Sequence, residues 1–144
     1  MRNAILPMLD RLGPKRIVVA SSAPPICYPD CYGIDMSTLE ELVAFRALVN
    51  LVGEKSLRGT DDLRRLYAQT TTAALSAEIA RLITPRGMRA RVDVVFQTVE
   101  AMRAACPGSR GDWYFTGDYP TPGGARVLRE AMRNYLAHRG GRSY

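Results

Sequence analysis

The run Arg16-Ile17-Val18-Val19-Ala20-Ser21 constrains this chain more than any other feature. Three consecutive β-branched residues, uninterrupted by polar ones, suit a strand buried on both faces, as in a parallel sheet. Parallel neighbours are reached only through long crossovers, so the chain should be α/β. Ser21, Ser22 and Ala23 follow as small residues at the strand's carboxyl end, where open α/β sheets bind ligands. Only one such central strand is convincing, however. The chain therefore reads as half of a helix-rich α/β domain with few parallel strands. Its incomplete sheet should be completed by other polypeptide.

Helical spacing surrounds that strand. Residues 2–12 place Ile5, Met8, Leu9 and Leu12 on one face, with Pro7 near the first turn and Gly13-Pro14 as the stop. Ser37 with Glu40 has the capping-box spacing and predicts a helix from Ser37 to about Val52, ended by Gly53. Thr60-Asp61-Asp62 starts another helix, and Ser76-Ala77-Glu78 leads a third that Pro85 ends. Residues 88–105 fit two periods. Val92, Val94 and Phe96 alternate like a strand, whereas Val92, Val95, Phe96, Val99 and Met102 fit a helix; a strand passing into a helix near Gln97 satisfies both. Trp113-Tyr114-Phe115 predicts a brief aromatic strand, Thr121 to Gly124 a turn, and the residues to about His138 a basic helix. The expected organisation is one partial domain. Residues 1–36 form a helix–strand–loop, 37–110 a helical extension, and 111–144 the aromatic strand and basic helix.

Composition excludes several classes. No apolar run approaches the roughly 20 residues that cross a membrane, and no signal peptide is evident, so a cytoplasmic protein is the expectation. The net charge of +6 favours anionic partners, but no nucleic-acid recognition motif accompanies it. Cys27, Cys31 and Cys106 are an odd set of free thiols. Cys27 and Cys31 lack the second ligand pair that a zinc site needs, so no metal is expected. Asp30 and Asp35 could pair as carboxylates, but Pro29-Asp30 and Gly33 suit a turn. Asp61-Asp62 heads a helix, where acids complement the dipole. Gly123-Gly124 could cradle a phosphate, yet it matches no known phosphate-loop spacing. With His138 as the sole histidine, no catalytic triad can be assembled, and no catalytic residue is assigned.

Three blocks carry a family resemblance. RNAILPMLDRLGPKRIVVASSAPPICYPDCYGIDM, LEELVAFRAL and GDWYFTGDYPTPGGARVLREAMRNYL, with the final RSY, resemble the C-terminal part of glutamine phosphoribosylpyrophosphate amidotransferases. The YGIDM and FTGDYPTPGG blocks are the most specific. Residues 46 to 92 and the closing block look like the longer form of this enzyme. The resemblance implies a type I phosphoribosyltransferase fold joined to an N-terminal glutaminase. Together these make 5-phosphoribosylamine from phosphoribosyl pyrophosphate and glutamine, the first committed step of purine biosynthesis. It also implies inhibition by purine nucleotides, magnesium in the complete enzyme, and a homo-oligomer.

The departures are as informative as the matches. The chain begins Met1-Arg2, where the family's glutaminase needs an N-terminal cysteine. The phosphoribosyl pyrophosphate loop, with its paired aspartates, is absent. The cluster cysteine that some members carry in the YGID loop corresponds to Asp30, and a further cysteine pair to Gly111 and Tyr114, so no iron–sulfur cluster is expected. By resemblance, Tyr32, Gly33, Asp35 and Met36 belong to an interdomain loop near the ammonia path, and Ser21 and Ser22 lie beside the nucleotide pocket. The expected partners are the missing glutaminase and the first half of the transferase domain. The alternative is a split-gene or stand-alone module that binds nucleotide or docks without catalysis. In either case, exposed apolar faces on the first helix and strand predict self-association.

Overall fold

The computed structural model describes residues 1–31, 36 and 38–139. A short helix, α1 (Ile5–Asp10), leads into strand β1 (Arg16–Ser21). Three helices follow: α2 (Val43–Val52), α3 (Thr60–Gln69) and α4 (Thr72–Ile83). Strand β2 (Arg91–Phe96) then returns parallel to β1, in register from Arg16↔Arg91 to Ser21↔Phe96. Beyond it lie α5 (Val99–Ala105), α6 (Trp113–Thr116) and α7 (Pro122–Leu136). Among the described residues the sheet has these two strands and does not close. The ambiguous segment thus resolves as strand then helix, because Val92 and Val94 find Ile17 and Val19 as same-face neighbours.

One face of the sheet is covered. Successive strand residues point to opposite faces, and Ile17, Val92 and Val94 turn inward and are buried. Helix α4 lies against β2, and α2 lies against α4. Leu6, Ile17, Ala90 and Val92 form a small cluster, with Leu9, Ile83 and Met88 around it. The larger core joins Tyr28, Leu39, Phe45, Leu48, Leu57, Leu63, Leu75, Leu128 and Met132. Phe45 on α2 meets Tyr135 on α7 edge-on, with ring centroids 4.9 Å apart. Residues from 1–36, 37–110 and 111–144 therefore share one core.

Among the described residues the opposite face is uncovered, as expected of an incomplete sheet that leaves apolar surface on its first strand exposed. Val18 is 50% exposed and Val95 52%. Between them, Asp93 accepts from Arg16 at 2.5 Å and from Arg91 at 3.0 Å. Helix α1 is shorter than the spacing predicts, and the apolar face expected there is the one left exposed. Leu6 is its buried residue, whereas Ile5, Met8 and Leu12 are exposed, Leu12 at 80%. The cause is its anchoring to the sheet's covered side. Asp10 accepts from the backbone N–H groups of Ala90, at 2.8 Å, and Arg89, at 3.2 Å. These bonds hold its carboxyl below the usual carboxylate range.

Other boundaries shift for local reasons. Leu39–Glu41 forms a 3₁₀ turn, and extended Leu42 (ψ 112°) delays the regular helix to Val43; Ser37 lies outside the described residues. Gly53, at φ 81°, ends α2 as the sequence predicts. Helix α4 begins at Thr72, because the Thr71 hydroxyl accepts from the Ala74 N–H at 3.2 Å. The expected aromatic strand is instead the helical turn α6: the Asp112 carbonyl accepts from Phe115 and Thr116, and Gly117 closes the turn at φ 72°. The expected Thr121–Gly124 turn is the start of α7, with Thr121 as cap and Pro122 at the first helical position.

Candidate functional site

The loop that leaves β1 is built around a buried Tyr28. Cys27 and Tyr28 are fully buried, and Tyr67 of α3 meets the Tyr28 ring edge-on at 5.5 Å. A Cβ added to Gly117 would lie 2.6 Å from that ring. Gly117 therefore lies directly against Tyr28, and its carbonyl accepts from the Arg64 guanidinium at 2.7 and 3.2 Å. The loop carbonyls are taken by tyrosines. Tyr67 donates to the Pro25 carbonyl at 2.5 Å, and Tyr119 donates to that of Pro29. Tyr114 donates to Asp30 Oδ1 at 2.8 Å, and the Asp30 N–H donates to the Met36 carbonyl at 2.7 Å. Residues 25–30 of the loop thus meet residues 114–119 in space, and the second segment holds the first.

Burial pushes the Cys27 thiol and the Tyr28, Tyr67 and Tyr119 hydroxyls up. Burial and then the neighbouring Asp30 raise Cys31. Thiols held protonated are poor nucleophiles and poor ligands. Among the described residues no group of three or more His, Cys, Asp or Glu could hold a metal ion.

Tyr114 is pushed up to about 12, first by desolvation and then by its bond to Asp30. Its protonated form is favoured in the folded chain, so its contribution is complete below the ordinary value of 10.0. It is lost as pH rises from there to about 12, because the unfolded chain releases the proton first. Tyr114→Phe should cost about 1.5 kcal/mol at pH 8 by loss of a hydrogen bond to a charged acceptor. Its urea midpoint should also fall less steeply between pH 10 and 12 than that of the unmodified chain. Equal slopes would count against the Asp30 contact.

The sequence-predicted residues fare differently. Tyr32, Gly33 and Asp35 lie outside the described residues, and Met36 is partly buried at the loop's far side. Ser21 ends β1, and its hydroxyl bonds both the N–H and the C=O of Ala23, shaping its own turn; Ser22 is exposed. The next residues, Pro24 and Pro25, join Tyr67, Thr71, Val99 and Glu100 around a cleft of about 290 Å³. This cleft lies just past the carboxyl ends of both strands, where an open α/β sheet places its ligands. Gly124 is no phosphate cradle: a Cβ there would meet Tyr119 at 2.8 Å, and its N–H already donates to Thr121. Asp62 is held by Arg58 and Arg65 at 2.9 and 2.8 Å, in keeping with a structural helix start. Sequence reasoning missed Tyr67, Tyr114 and Arg64. Tyr114 lay in a quoted block, but only the fold reveals its partner.

The class defined is a helix-rich α/β domain with an unclosed parallel sheet, one bare sheet face, and a tyrosine-clamped loop at the strands' carboxyl end. Over 59 residues the chain is 44% identical to the amidophosphoribosyltransferase of Haemophilus influenzae, a stretch that is 41% of this chain and 11% of that protein. The amidophosphoribosyltransferase of Pasteurella multocida matches to the same extent. The match thus spans about a tenth of the length of these curated relatives and supports the amidophosphoribosyltransferase family. No family model and no solved structure matches the chain. No helix among the described residues is long and apolar enough to cross a membrane.

Proposed function

We propose that this chain is a C-terminal part of an amidophosphoribosyltransferase, the cytoplasmic enzyme that makes 5-phosphoribosylamine in purine biosynthesis, and that it is inactive by itself. The observation that carries this reading is the 44% identity over 59 residues to two proteins of that name. The bare sheet face supports it: Val18 and Val95 expose apolar surface that further polypeptide of a transferase domain would cover. In this reading Tyr32 to Met36 face the glutaminase, and Ser21 and Ser22 flank a nucleotide site whose other half, with its magnesium, lies on the missing residues.

An incomplete site should not hold nucleotide. Titrating a purine monophosphate into the isolated chain should leave the backbone amides of Ser21, Ser22 and Glu100 unmoved in nuclear magnetic resonance spectra at micromolar concentrations. Micromolar binding reported by those amides would contradict the incomplete-site reading. The coding sequence upstream then separates two origins. An in-frame strand with paired aspartates and a phosphate loop marks a fragment, and a stop codon with a separate upstream gene marks a split subunit.

A further inference from the structure

The groove between the Gly59-Thr60 turn and the second half of α7 plays no part in the features described so far. It measures about 450 Å³ and is lined by Arg58, Arg129 and Arg133 over Met132, Leu136 and Ala137. Local partners account for two of the arginines. Arg58 pairs with Asp62 at 2.9 Å, and Arg133 pairs with Glu130 at 2.6 Å in the last turn of α7, where a cation complements the dipole. Neither reason covers Arg129, whose side chain has no hydrogen bond or ion pair among the described residues. Leu136 is equally unaccounted for. It is 42% exposed at the groove, although α7 buries Val127, Leu128, Ala131, Met132 and Tyr135 elsewhere.

A free guanidinium beside exposed apolar surface matches an anion that also carries an apolar part. We propose that this groove binds a small phosphate ester. Its phosphoryl group is clasped by Arg129 and Arg133, and its apolar part lies on Leu136 and Ala137. Guanidinium groups suit phosphate because they offer paired donors to two oxygens at once. The groove's size falls in the range of small-molecule sites, roughly 300–1,000 Å³. Asp62 is shared by Arg58 and Arg65, and Glu130 pairs with Arg133, so the guanidinium in the groove without a carboxylate partner among the described residues is that of Arg129. The site is separate from the cleft past β1 and does not depend on the amidophosphoribosyltransferase reading.

Titration calorimetry of the whole chain at low salt, with phenyl phosphate and with inorganic phosphate, tests this. Phenyl phosphate should bind once per chain and more tightly than phosphate. Arg129→Gln should weaken both by about tenfold or more, equivalent to about 1.4 kcal/mol. Leu136→Ala should remove the advantage of phenyl phosphate while leaving phosphate unchanged. Arg126→Gln, on the same helix but outside the groove, should alter neither. Equal losses from Arg129→Gln and Arg126→Gln would show that only net charge is read, and would overturn the proposal. Absence of saturable binding, or binding shown only by an RNA oligonucleotide, would also overturn it. If Arg129→Gln does not fold, Arg129→Lys, which keeps the charge but loses the paired donors, should weaken phenyl phosphate several-fold. Unchanged affinity in that variant would overturn the proposal.

Discussion

Gly117→Ala should cost about 3 kcal/mol, a large part of the 5–15 kcal/mol that holds a typical domain together. Two penalties coincide at this position. The backbone sits at φ 72°, where a residue with a Cβ loses roughly 1–2 kcal/mol. The added methyl would also lie 2.6 Å from a ring carbon of Tyr28, a fully buried side chain that cannot swing aside. Overpacking of a filled core adds about 1–3 kcal/mol. A urea denaturation midpoint measures the sum. The two penalties separate in a Tyr28→Ala background, where the steric one should vanish and the backbone one remain. If Gly117→Ala costs as much in that background as in the unmodified chain, the Gly117–Tyr28 contact is not what selects glycine.

The helical framework was legible where one signal acted alone. Gly53 ended α2, acids headed α3, and the Arg16–Ser21 run formed a strand, because each needs only local chemistry. Where two signals competed, the tertiary partner decided. Trp113-Tyr114-Phe115 has strong β-propensity, but β-propensity is largely packing against a neighbouring strand. Here Tyr114 instead reaches Asp30, and Gly117 is needed against Tyr28. Thr121-Pro122 was a readable cap and first-turn pair, hidden by the two glycines that follow. Gly124 is there to clear the Tyr119 ring and does not break the helix.

The candidate site was legible as sequence blocks and not as contacts. The blocks ending in YGIDM and opening at GDWYFTG were the segments worth quoting, and the fold brings their described residues together through Tyr28, Asp30, Tyr114, Gly117 and Tyr119. No spacing rule could have paired Asp30 with Tyr114 or Tyr119 with the Pro29 carbonyl, since each joins distant segments. The arginine groove was invisible for the same reason. Arg58, in the turn before α3, and Arg129, on α7, meet only in three dimensions.

The bare sheet face is where sequence and structure together say most about the whole protein. A parallel sheet is ordinarily covered on both sides, and the run Ile17-Val18-Val19 has the composition of a strand so covered. Yet Val18 and Val95 stand in solvent, and Ile5, Met8 and Leu12 of the first helical segment are exposed as well. Such surface on a separate chain favours association with whatever apolar surface is available, another copy included.

Sedimentation velocity over a range of concentrations tests this most directly, on the unmodified chain and on a Val18→Lys/Val95→Lys variant. The unmodified chain should self-associate as concentration rises. The variant should remain a monomer with a thermal midpoint close to that of the unmodified chain, because both side chains already stand in solvent. A monodisperse, stable monomer of the unmodified chain at every concentration, or a variant that associates just as strongly, would contradict the claim that this face belongs under further polypeptide.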